Sequence, residues 1–221
     1  MRTFTDEDCI SKNLQHCEEY EIKIQGMYLK VLPNVFSPIY SYSSQLLCES
    51  IFRLDNAQVL DVGTGCGIQA IMAARQGATN VVAVDISPFA VRNALENVNN
   101  MNLKHKIDIR NGNLFCPIKK GEQFDCIIAN LPFVPKEPKN PFEFSVYDYK
   151  SCLLKCFFKQ CHKYMTPKGT IIFAYSSIGN IQLLNRLINE SGLLVLKERK
   201  EKFSNEWWMI YTLGGNYFKN A

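Results

Sequence analysis

The 221 residues are enough for one large α/β domain with a proper core, and 47% hydrophobic with 21% charged residues is typical of globular proteins. A formal charge of +4 is too small by itself to indicate a nucleic-acid binder. No apolar run approaches the ~18 residues that a membrane span needs, and the polar, then acidic N-terminus does not predict a signal peptide.

The N-terminal part of the chain predicts a short preface to the main fold. Residues 1–20 are polar and indicate a helical lead-in or a loose tail. Alternating apolar residues on both sides of Gly26 predict a small β-hairpin, and residues 45–52 predict a short helix. We therefore interpret residues 1–44 as a lead-in and hairpin rather than a separate domain, placed ahead of one domain over residues 45–221.

From residue 58 onward the pattern alternates between buried strands and amphipathic helices. Strands are predicted over residues 59–62, 81–84, 106–110, 124–129, 170–175, 193–197 and 207–213. Helices are predicted over residues 68–75, 88–98, 149–164 and 180–190. This alternation predicts an α/β fold with a seven-stranded, mostly parallel sheet and helices on both faces. No helix separates the last two strands, so we expect a hairpin and an antiparallel last strand.

The cysteines predict a reducing environment and no metal site. The count of nine is odd, and several, such as Cys126, Cys152 and Cys156, lie in apolar runs that predict buried free thiols. We therefore expect a cytoplasmic protein. The Cys152, Cys156 and Cys161-His162 group lacks CxxC spacing, which favours core packing over metal binding.

A glycine-rich turn follows the first strand of the regular pattern, in the stretch Asp61-Val62-Gly63-Thr64-Gly65-Cys66-Gly67. Glycines permit a sharp turn and close approach of a ligand, and ligands of open α/β sheets bind beyond the carboxyl ends of the strands. The GxGxG spacing is tighter than the GxGxxG of dinucleotide enzymes and suits a ligand without a pyrophosphate. Asp85 closes the next strand, where an acid can bind both ribose hydroxyls. These residues predict a nucleoside-type ligand.

The turn and Asp85 resemble the first two motifs of the class I S-adenosylmethionine (SAM)-dependent methyltransferases. Residues 59–68 match the first motif and residues 82–88 the second, and the resemblance runs from about residue 58 to the C-terminal hairpin. It implies a Rossmann-like fold with SAM as cofactor, with the glycines bordering its methionine and ribose and Asp85 binding the ribose. The cofactor-binding residues that it implies are Asp61, Gly63, Gly65, Gly67, Asp85, Ile86, Asn113 and Asn130. Asn113 stands where the family often has an Asp that contacts the adenine amino group.

A second chemical motif, Asn130-Leu131-Pro132-Phe133, follows the fourth strand. In the methyltransferases that it resembles, such a motif marks enzymes that methylate planar nitrogen. The oxygen of the Asn side chain and a backbone carbonyl can accept both N–H bonds of an amide or exocyclic amine, and so hold the nitrogen in line with the methyl group. The proline stiffens the loop and the aromatic ring stacks on the planar group. Leu131 replaces the commoner Pro of the glutamine methyltransferases.

The segment before the glycine turn resembles the release-factor glutamine methyltransferases. Their usual Arg and Glu are replaced here by Ile39, Tyr42 and Ser43, so no role is transferred to these positions. Those enzymes also carry an N-terminal helical domain, and we expect this chain to be a catalytic domain without it. The proline- and lysine-rich residues 135–141 are predicted to form a mobile loop at the active site.

The sequence therefore predicts a SAM-dependent methyltransferase that acts on planar nitrogen. The acceptor stays open between a protein glutamine, a nucleic-acid amine and a small molecule. The alternatives are a small-molecule biosynthetic enzyme that uses SAM for other chemistry and a non-catalytic SAM-binding module. The basic residues of the stretch 197–202 indicate a solvated strand edge or a contact with RNA phosphate. A wide basic cleft around Phe133 would favour nucleic acid, and a closed apolar pocket would favour a small molecule.

Overall fold

The computed structural model describes residues 6–215, with side chains from Ile10 onward. Residues 1–5 of the predicted lead-in lie outside the described residues, and helix α1 (Asp6–Gln15) forms part of the rest. The predicted hairpin is confirmed as β1 (Tyr20–Ile24) and β2 (Met27–Val31), which pair in antiparallel register. Among the described helices, none is both long and apolar enough to cross a membrane.

The rest of the described chain alternates strands with helices. The strands are β3 (Gln58–Val62), β4 (Asn80–Asp85), β5 (Ile107–Asn111), β6 (Phe124–Ala129), β7 (Met165–Ser176), β8 (Leu194–Phe203) and β9 (Glu206–Gly214). The helices are α2 (Tyr42–Ser50), α3 (Ile68–Arg75), α4 (Pro88–Asn100), α5 (Cys152–Gln160) and α6 (Ile181–Glu190). Short 3₁₀ turns lie at Pro38–Tyr40, Pro141–Ser145, Tyr149–Ser151 and Cys161–Tyr164.

The seven strands form one sheet in the order β5-β4-β3-β6-β7-β9-β8. Strands β3 to β7 are parallel, and the last strand, β9, is antiparallel to both of its neighbours, β7 and β8. This confirms the predicted mostly parallel, Rossmann-like sheet with its antiparallel last strand. The chain winds from β3 toward one edge and then from β6 toward the other. The topological switch point therefore lies between β3 and β6, where ligands of such sheets bind.

Helices cover both faces of the sheet because its central strands are apolar on both sides. One core cluster joins the hairpin, α2, α3 and α4 to one face, and a second joins α5 and α6 to the other. Val59, Leu60 and Ile127, from the middle of the sheet, are completely buried. Because strands β3 to β7 between these two helical layers are parallel, the turns at their carboxyl ends lie together at one edge of the sheet.

The predicted connection over residues 198–206 was wrong, because β8 and β9 extend through most of it. The two strands stay paired until Phe203 faces Glu206 across a tight turn at Ser204, which has a φ of +56°. Strand β8 lies at the edge of the sheet, and its residues 197–202 are all charged and mostly exposed to water. This charged run lacks the apolar residues by which a strand is recognised in a sequence.

The single helix predicted over residues 149–164 is also wrong, because it breaks into a 3₁₀ turn, α5 and a second 3₁₀ turn. The carboxylate of Asp148 accepts hydrogen bonds from the backbone N–H groups of Leu153 and Leu154, at 2.9 and 3.0 Å, and so fixes the start of α5. The prediction that Cys152 and Cys156 are buried is corrected: both are exposed. The side that packs on the sheet instead presents Leu154, Phe157 and Phe158 of α5, followed by Cys161 in the next 3₁₀ turn.

Candidate active site

The glycine turn lies between β3 and α3, at the switch point of the sheet. Gly65 has a φ of +56° and a Cβ there would enter open space at the cavity described below. Gly67 has a φ of +88°, and its Cβ would come within 3.2 Å of Ala94 Cβ. Both conformations favour glycine, but for different purposes. Gly65 leaves room on the cavity side, whereas Gly67 allows the turn to pack on α4.

Asp61 lies behind the turn rather than in the cavity. Its Oδ2 accepts the hydroxyl of Thr64 at 2.6 Å and the backbone N–H of Ala70 at 3.1 Å. Burial, with a smaller contribution from the charge of Asp85, raises the pKa of the Asp61 carboxyl to about 7, and these hydrogen bonds act against the rise. Asp61 therefore holds the turn on the first residues of α3.

Asp85 reaches the cavity from the end of β4. Its Oδ2 accepts the backbone N–H of Gly65 and its Oδ1 that of Ser87, both at 2.9 Å. Burial raises the pKa of this carboxyl, and the same backbone donors work against the rise. Each carboxylate oxygen keeps a further lone pair for a ligand. Ile86, next in the chain, is 61% exposed and lies at the rim.

The Asn130-Leu131-Pro132-Phe133 motif begins where β6 ends, beside the glycine turn. Nδ2 of Asn130 donates a hydrogen bond to Oγ of Ser44 at 2.8 Å. The side chain of Leu131 is buried near Gly63. The Phe133 ring meets that of Trp208 edge-on, with the ring centroids 5.8 Å apart. Motif and turn are adjacent because β3 and β6 are neighbours in the sheet.

A cavity of about 470 Å³ joins these features, within the range of small-molecule sites. It is lined by nine of the residues predicted from the sequence, eight of which are Gly63, Gly65, Asp85, Ile86, Asn113, Asn130, Leu131 and Pro132. Phe133 lines it as well, whereas Asp61 and Gly67 do not. The predicted residues thus share one site, and two of them support it from behind.

Sequence reasoning missed a second set of lining residues, which comes from the N-terminal part and from a later loop. Ile10 and Asn13 of α1 line the cavity together with Ser41, Ser43 and Ser44. So do Asn140, Pro141, Phe142 and Phe144, at the end of and just after the predicted mobile loop; its mobility stays a prediction. The one sequence feature by which the serines could have been found is that several small hydroxyl residues stand just before the predicted helix over residues 45–52.

The electrostatic character of the cavity is nearly neutral. Of the described residues that line it, Asp85 is the one with a charged side chain, and none is Lys, Arg or His. The basic run lies on β8, away from this lining, where Arg199 pairs with Glu49 and Glu201. Apart from Asp85, the described lining therefore consists of uncharged polar and apolar groups.

Comparison with known proteins gives relatives among protein methyltransferases. Residues 45–132 match the family described as ribosomal protein L11 methyltransferase (PrmA). A Methanocaldococcus jannaschii protein named "putative protein N5-glutamine methyltransferase" is 31% identical over 175 residues, which cover 75% of this chain and 85% of that protein. The release factor glutamine methyltransferase of Clostridium acetobutylicum is 28% identical over 72% of this chain and 61% of its own length.

Other similarities cover less of the relative or concern the fold alone. The L11 methyltransferase of Exiguobacterium sibiricum is 33% identical over 52% of this chain, which spans only 36% of that enzyme. The structure of the Thermus thermophilus 16S rRNA N2 G1207 methyltransferase with AdoMet and guanosine has a TM-score of 0.66 at 21% identity, covering 88% of this chain and 50% of that one. The structure of Methanocaldococcus jannaschii Trm5 with adenosine has a TM-score of 0.64 at 19% identity, covering 91% and 56%.

Proposed function

Since the chain belongs to the SAM-dependent methyltransferases related to the protein N5-glutamine enzymes, we propose that it methylates the side-chain amide nitrogen of a glutamine in a protein or peptide. One observation carries the proposal. Asn130 and Phe133 line the same neutral cavity as the glycine turn and Asp85. An amide is uncharged and planar, and it presents N–H groups to an acceptor such as Asn130 Oδ1.

We propose that the cofactor lies along the glycine turn. The residues present fit such a group: Gly65 leaves open space, and Asp85 is held by two backbone N–H groups with lone pairs to spare for a ribose. Ile86 and Asn113 would border the adenine side, while Asp61 and Gly67 would act by holding the turn. When bound, SAM supplies an electrophilic methyl group.

The chain's own residues would orient the acceptor and keep water out. Oδ1 of Asn130 accepts one amide N–H, and the carbonyl of Leu131 is available for the other. The ring of Phe133, packed edge-on against Trp208, stacks on the amide plane. Once methylated, the nitrogen is acidic enough to lose its proton to water. No His of the described chain lines the cavity, and the mechanism needs no general base.

The proposal is tested with glutamine-containing peptides and labelled SAM. We expect one methyl group on the glutamine nitrogen, found by mass spectrometry, and none on matched peptides with Glu or Lys in its place. Asn130→Ala should lower turnover about 10²–10³-fold, or ~2.7–4 kcal/mol in the transition state, while SAM affinity stays close to that of the wild type. Phe133→Tyr should be mild and Phe133→Ala should raise KM. An Asn130→Ala enzyme as fast as the wild type would refute the mechanism.

A small amide is a second candidate, because side chains from α1 and from a loop line the cavity beside the motif. Ile10 and Asn13 from α1 and Phe142 and Phe144 from the loop surround the site. Methyl transfer to a cell extract divided into protein, RNA and small-molecule fractions separates the two candidates. Label in protein supports the glutamine proposal, whereas label confined to small molecules, or to RNA, overturns it.

We also propose that the protein works in the cytoplasm. Support comes from thiols that are free and buried in the fold, including Cys48, Cys66 and Cys126. Free buried thiols are typical of reducing compartments. Cell fractionation followed by immunodetection is the test, and a protein recovered outside the cytoplasmic fraction would contradict the proposal.

A further inference from the structure

Three buried serine hydroxyls form a chain between the start of α2 and the catalytic motif. Nδ2 of Asn130 donates to Oγ of Ser44 at 2.8 Å, and the hydroxyl of Ser44 donates to Oγ of Ser41 at 2.9 Å. Oγ of Ser41 lies 3.0 Å from Oγ of Ser43. Each of the three serines is at most 5% exposed, and each lines the cavity.

The direction of every hydrogen in this chain follows from counting lone pairs. Oγ of Ser41 accepts twice, from the hydroxyl of Ser44 and from the backbone N–H of Ser44 at 3.2 Å. A hydroxyl has two acceptor lone pairs, so the hydrogen of Ser41 must be donated, and Ser43 receives it. The hydroxyl hydrogen of Ser43 is then the last of the chain. Among the described backbone groups and the side chains from Ile10 onward, no acceptor takes it.

Capping of α2 does not account for this arrangement. Ser41 alone caps the helix by accepting the N–H of Ser44, and that bond needs no hydroxyl on Ser44 or Ser43. Ser50, in the same helix, donates its hydroxyl to the backbone carbonyl of Leu46 at 2.9 Å, as serines in helices commonly do. The hydroxyl of Ser44 is instead used between Asn130 and Ser41.

We propose that Ser44 is a positioning residue for Asn130 and that Ser43 is a specificity-determining donor for the bound acceptor. The inference rests on the proposed function. Because Ser44 takes the NH₂ end of the Asn130 amide, Oδ1 is left for the acceptor's N–H. The last hydrogen of the chain, on Ser43, is available to the acceptor's carbonyl oxygen. An acceptor and a donor that line the same cavity match a carboxamide, which offers N–H and C=O together, and not an amine.

Loss of Ser44 would allow the side-chain amide of Asn130 to flip, so that its oxygen and nitrogen exchange places. The two orientations have nearly the same shape, since O and N differ little in size, so hydrogen bonds decide between them. With the amide reversed, an NH₂ group would face the N–H of the acceptor. We therefore expect Ser44→Ala to lower kcat by ~10-fold, which corresponds to ~1.4 kcal/mol, with little change in KM or SAM affinity. Ser43→Ala should raise KM for a glutamine peptide by ~10-fold.

The closing experiment combines kinetics with nuclear magnetic resonance. The matched control is Ser50→Ala, which removes a hydroxyl from the same helix but leaves the hydrogen bonds among Ser41, Ser43 and Ser44 in place. The ¹⁵N–¹H₂ signal of the Asn130 side chain is identified by its absence in Asn130→Ala. It should shift in Ser44→Ala and stay in place in Ser50→Ala. In the double variant Ser44→Ala/Asn130→Ala, kcat should equal that of Asn130→Ala, since Ser44 acts through Asn130.

The outcomes separate this inference from the proposed function. If the wild type methylates no carboxamide, the proposed function and the role of Ser43 fail, while the resonance shift still decides whether Ser44 holds Asn130. An unshifted Asn130 signal in Ser44→Ala overturns the positioning role, as do additive losses of kcat in the double variant. A Ser43→Ala enzyme with wild-type KM overturns the donor role.

Discussion

The two buried aspartates at the glycine turn have different positions and therefore different tasks. Asp61 is bound on the inner side of the turn by Thr64 and Ala70, and Asp85 on the cavity side by Gly65 and Ser87. Because Thr64 and Gly65 are adjacent in the turn, the turn is held between the two carboxylates. Asp85 alone has lone pairs that a ligand can reach.

Asp85→Ala should weaken SAM binding by at least ~100-fold. Charge-assisted hydrogen bonds are worth ~1.5–3 kcal/mol each, and ~1.4 kcal/mol is a factor of ten in affinity. Isothermal titration calorimetry measures the effect. Asp108→Ala, which removes an exposed carboxylate on the neighbouring strand β5, is the control and should bind as the wild type does. Equal affinities for both variants would disprove the role of Asp85.

Asp61 should make stability fall as pH rises. Its pKa goes from 3.8 to about 7 on folding, so the folded protein binds more protons than the unfolded chain between those values. The contribution is full below about pH 4 and is lost by about pH 7. It reaches at most ~4 kcal/mol, at ~1.4 kcal/mol per pKa unit. Urea unfolding across this range should show a flatter pH profile for Asp61→Asn than for the wild type, and parallel profiles would contradict the assignment.

The hairpin of β1 and β2 is tied to the cofactor side of the fold by helix α4. Oδ1 of Asn97 accepts the backbone N–H of Lys30 at 2.9 Å, and its Nδ2 donates to the carbonyls of Lys30 and Cys66, at 2.8 and 2.9 Å. Asn93 makes a similar pair of bonds, to Leu32 and Lys30. These contacts support our proposal that residues 1–44 are part of the same folding unit as the rest.

Asn97→Ala should destabilise the protein by ~3 kcal/mol or more. Three hydrogen bonds are lost, and the backbone N–H of Lys30 and the carbonyl of Cys66 lose their partner in Asn97, at ~1–3 kcal/mol each. The carbonyl of Lys30 keeps its bond from Asn93. Because Cys66 belongs to the glycine turn, SAM affinity should fall as well. Chemical denaturation gives the free energy of unfolding. Asn99→Ala, on the exposed side of α4, should change neither quantity. A stable Asn97→Ala protein would show that the hairpin is held in some other way.

At the scale of the whole molecule, the sheet order decides where the site lies. The glycine turn after β3 comprises residues 63–67, and the motif after β6 comprises residues 130–133. They are far apart in the sequence but are neighbours in space because β3 pairs with β6. The cavity lies between the two halves of the fold, and its wall includes α1, α2 and the loop after β6. A ligand there contacts both halves and should stabilise the entire domain.

SAM at about a hundred times its Kd should therefore raise stability by ~2.7 kcal/mol. For a chain of this size that corresponds to a Tm increase of roughly 5–10 °C. Differential scanning fluorimetry with SAM and with S-adenosylhomocysteine is the measurement. The increase should be nearly absent in Asp85→Ala, and the Asp108→Ala control should keep it. No shift in the wild type at saturating ligand would contradict the placement of the cofactor.

The sequence by itself determined the parts whose signals are local. Gly63 and Gly65 of the glycine turn, Asp85 and the residues 130–133 were recognisable from the sequence, because each depends on a strand end and a few adjacent residues. They line one cavity, and their roles in binding and catalysis stay predictions. Apolar and alternating runs also predicted the seven strands, and the missing helix between the last two strands predicted the antiparallel last one. The charged run of β8 and the break before α5 escaped, since the first depends on being at a sheet edge and the second on a hydrogen bond from Asp148.

Tertiary structure alone decided how distant segments complete the site. No spacing rule links Ser44 with Asn130, which lie 86 residues apart and meet only because α2 packs on β7 and β9, beside the end of β6. In the same way, Ile10 reaches the cavity from α1, and Asp61 turns away from it although it stands next to the glycines. Such contacts depend on the directions in which packed elements point their side chains, which the order of residues along one segment does not specify.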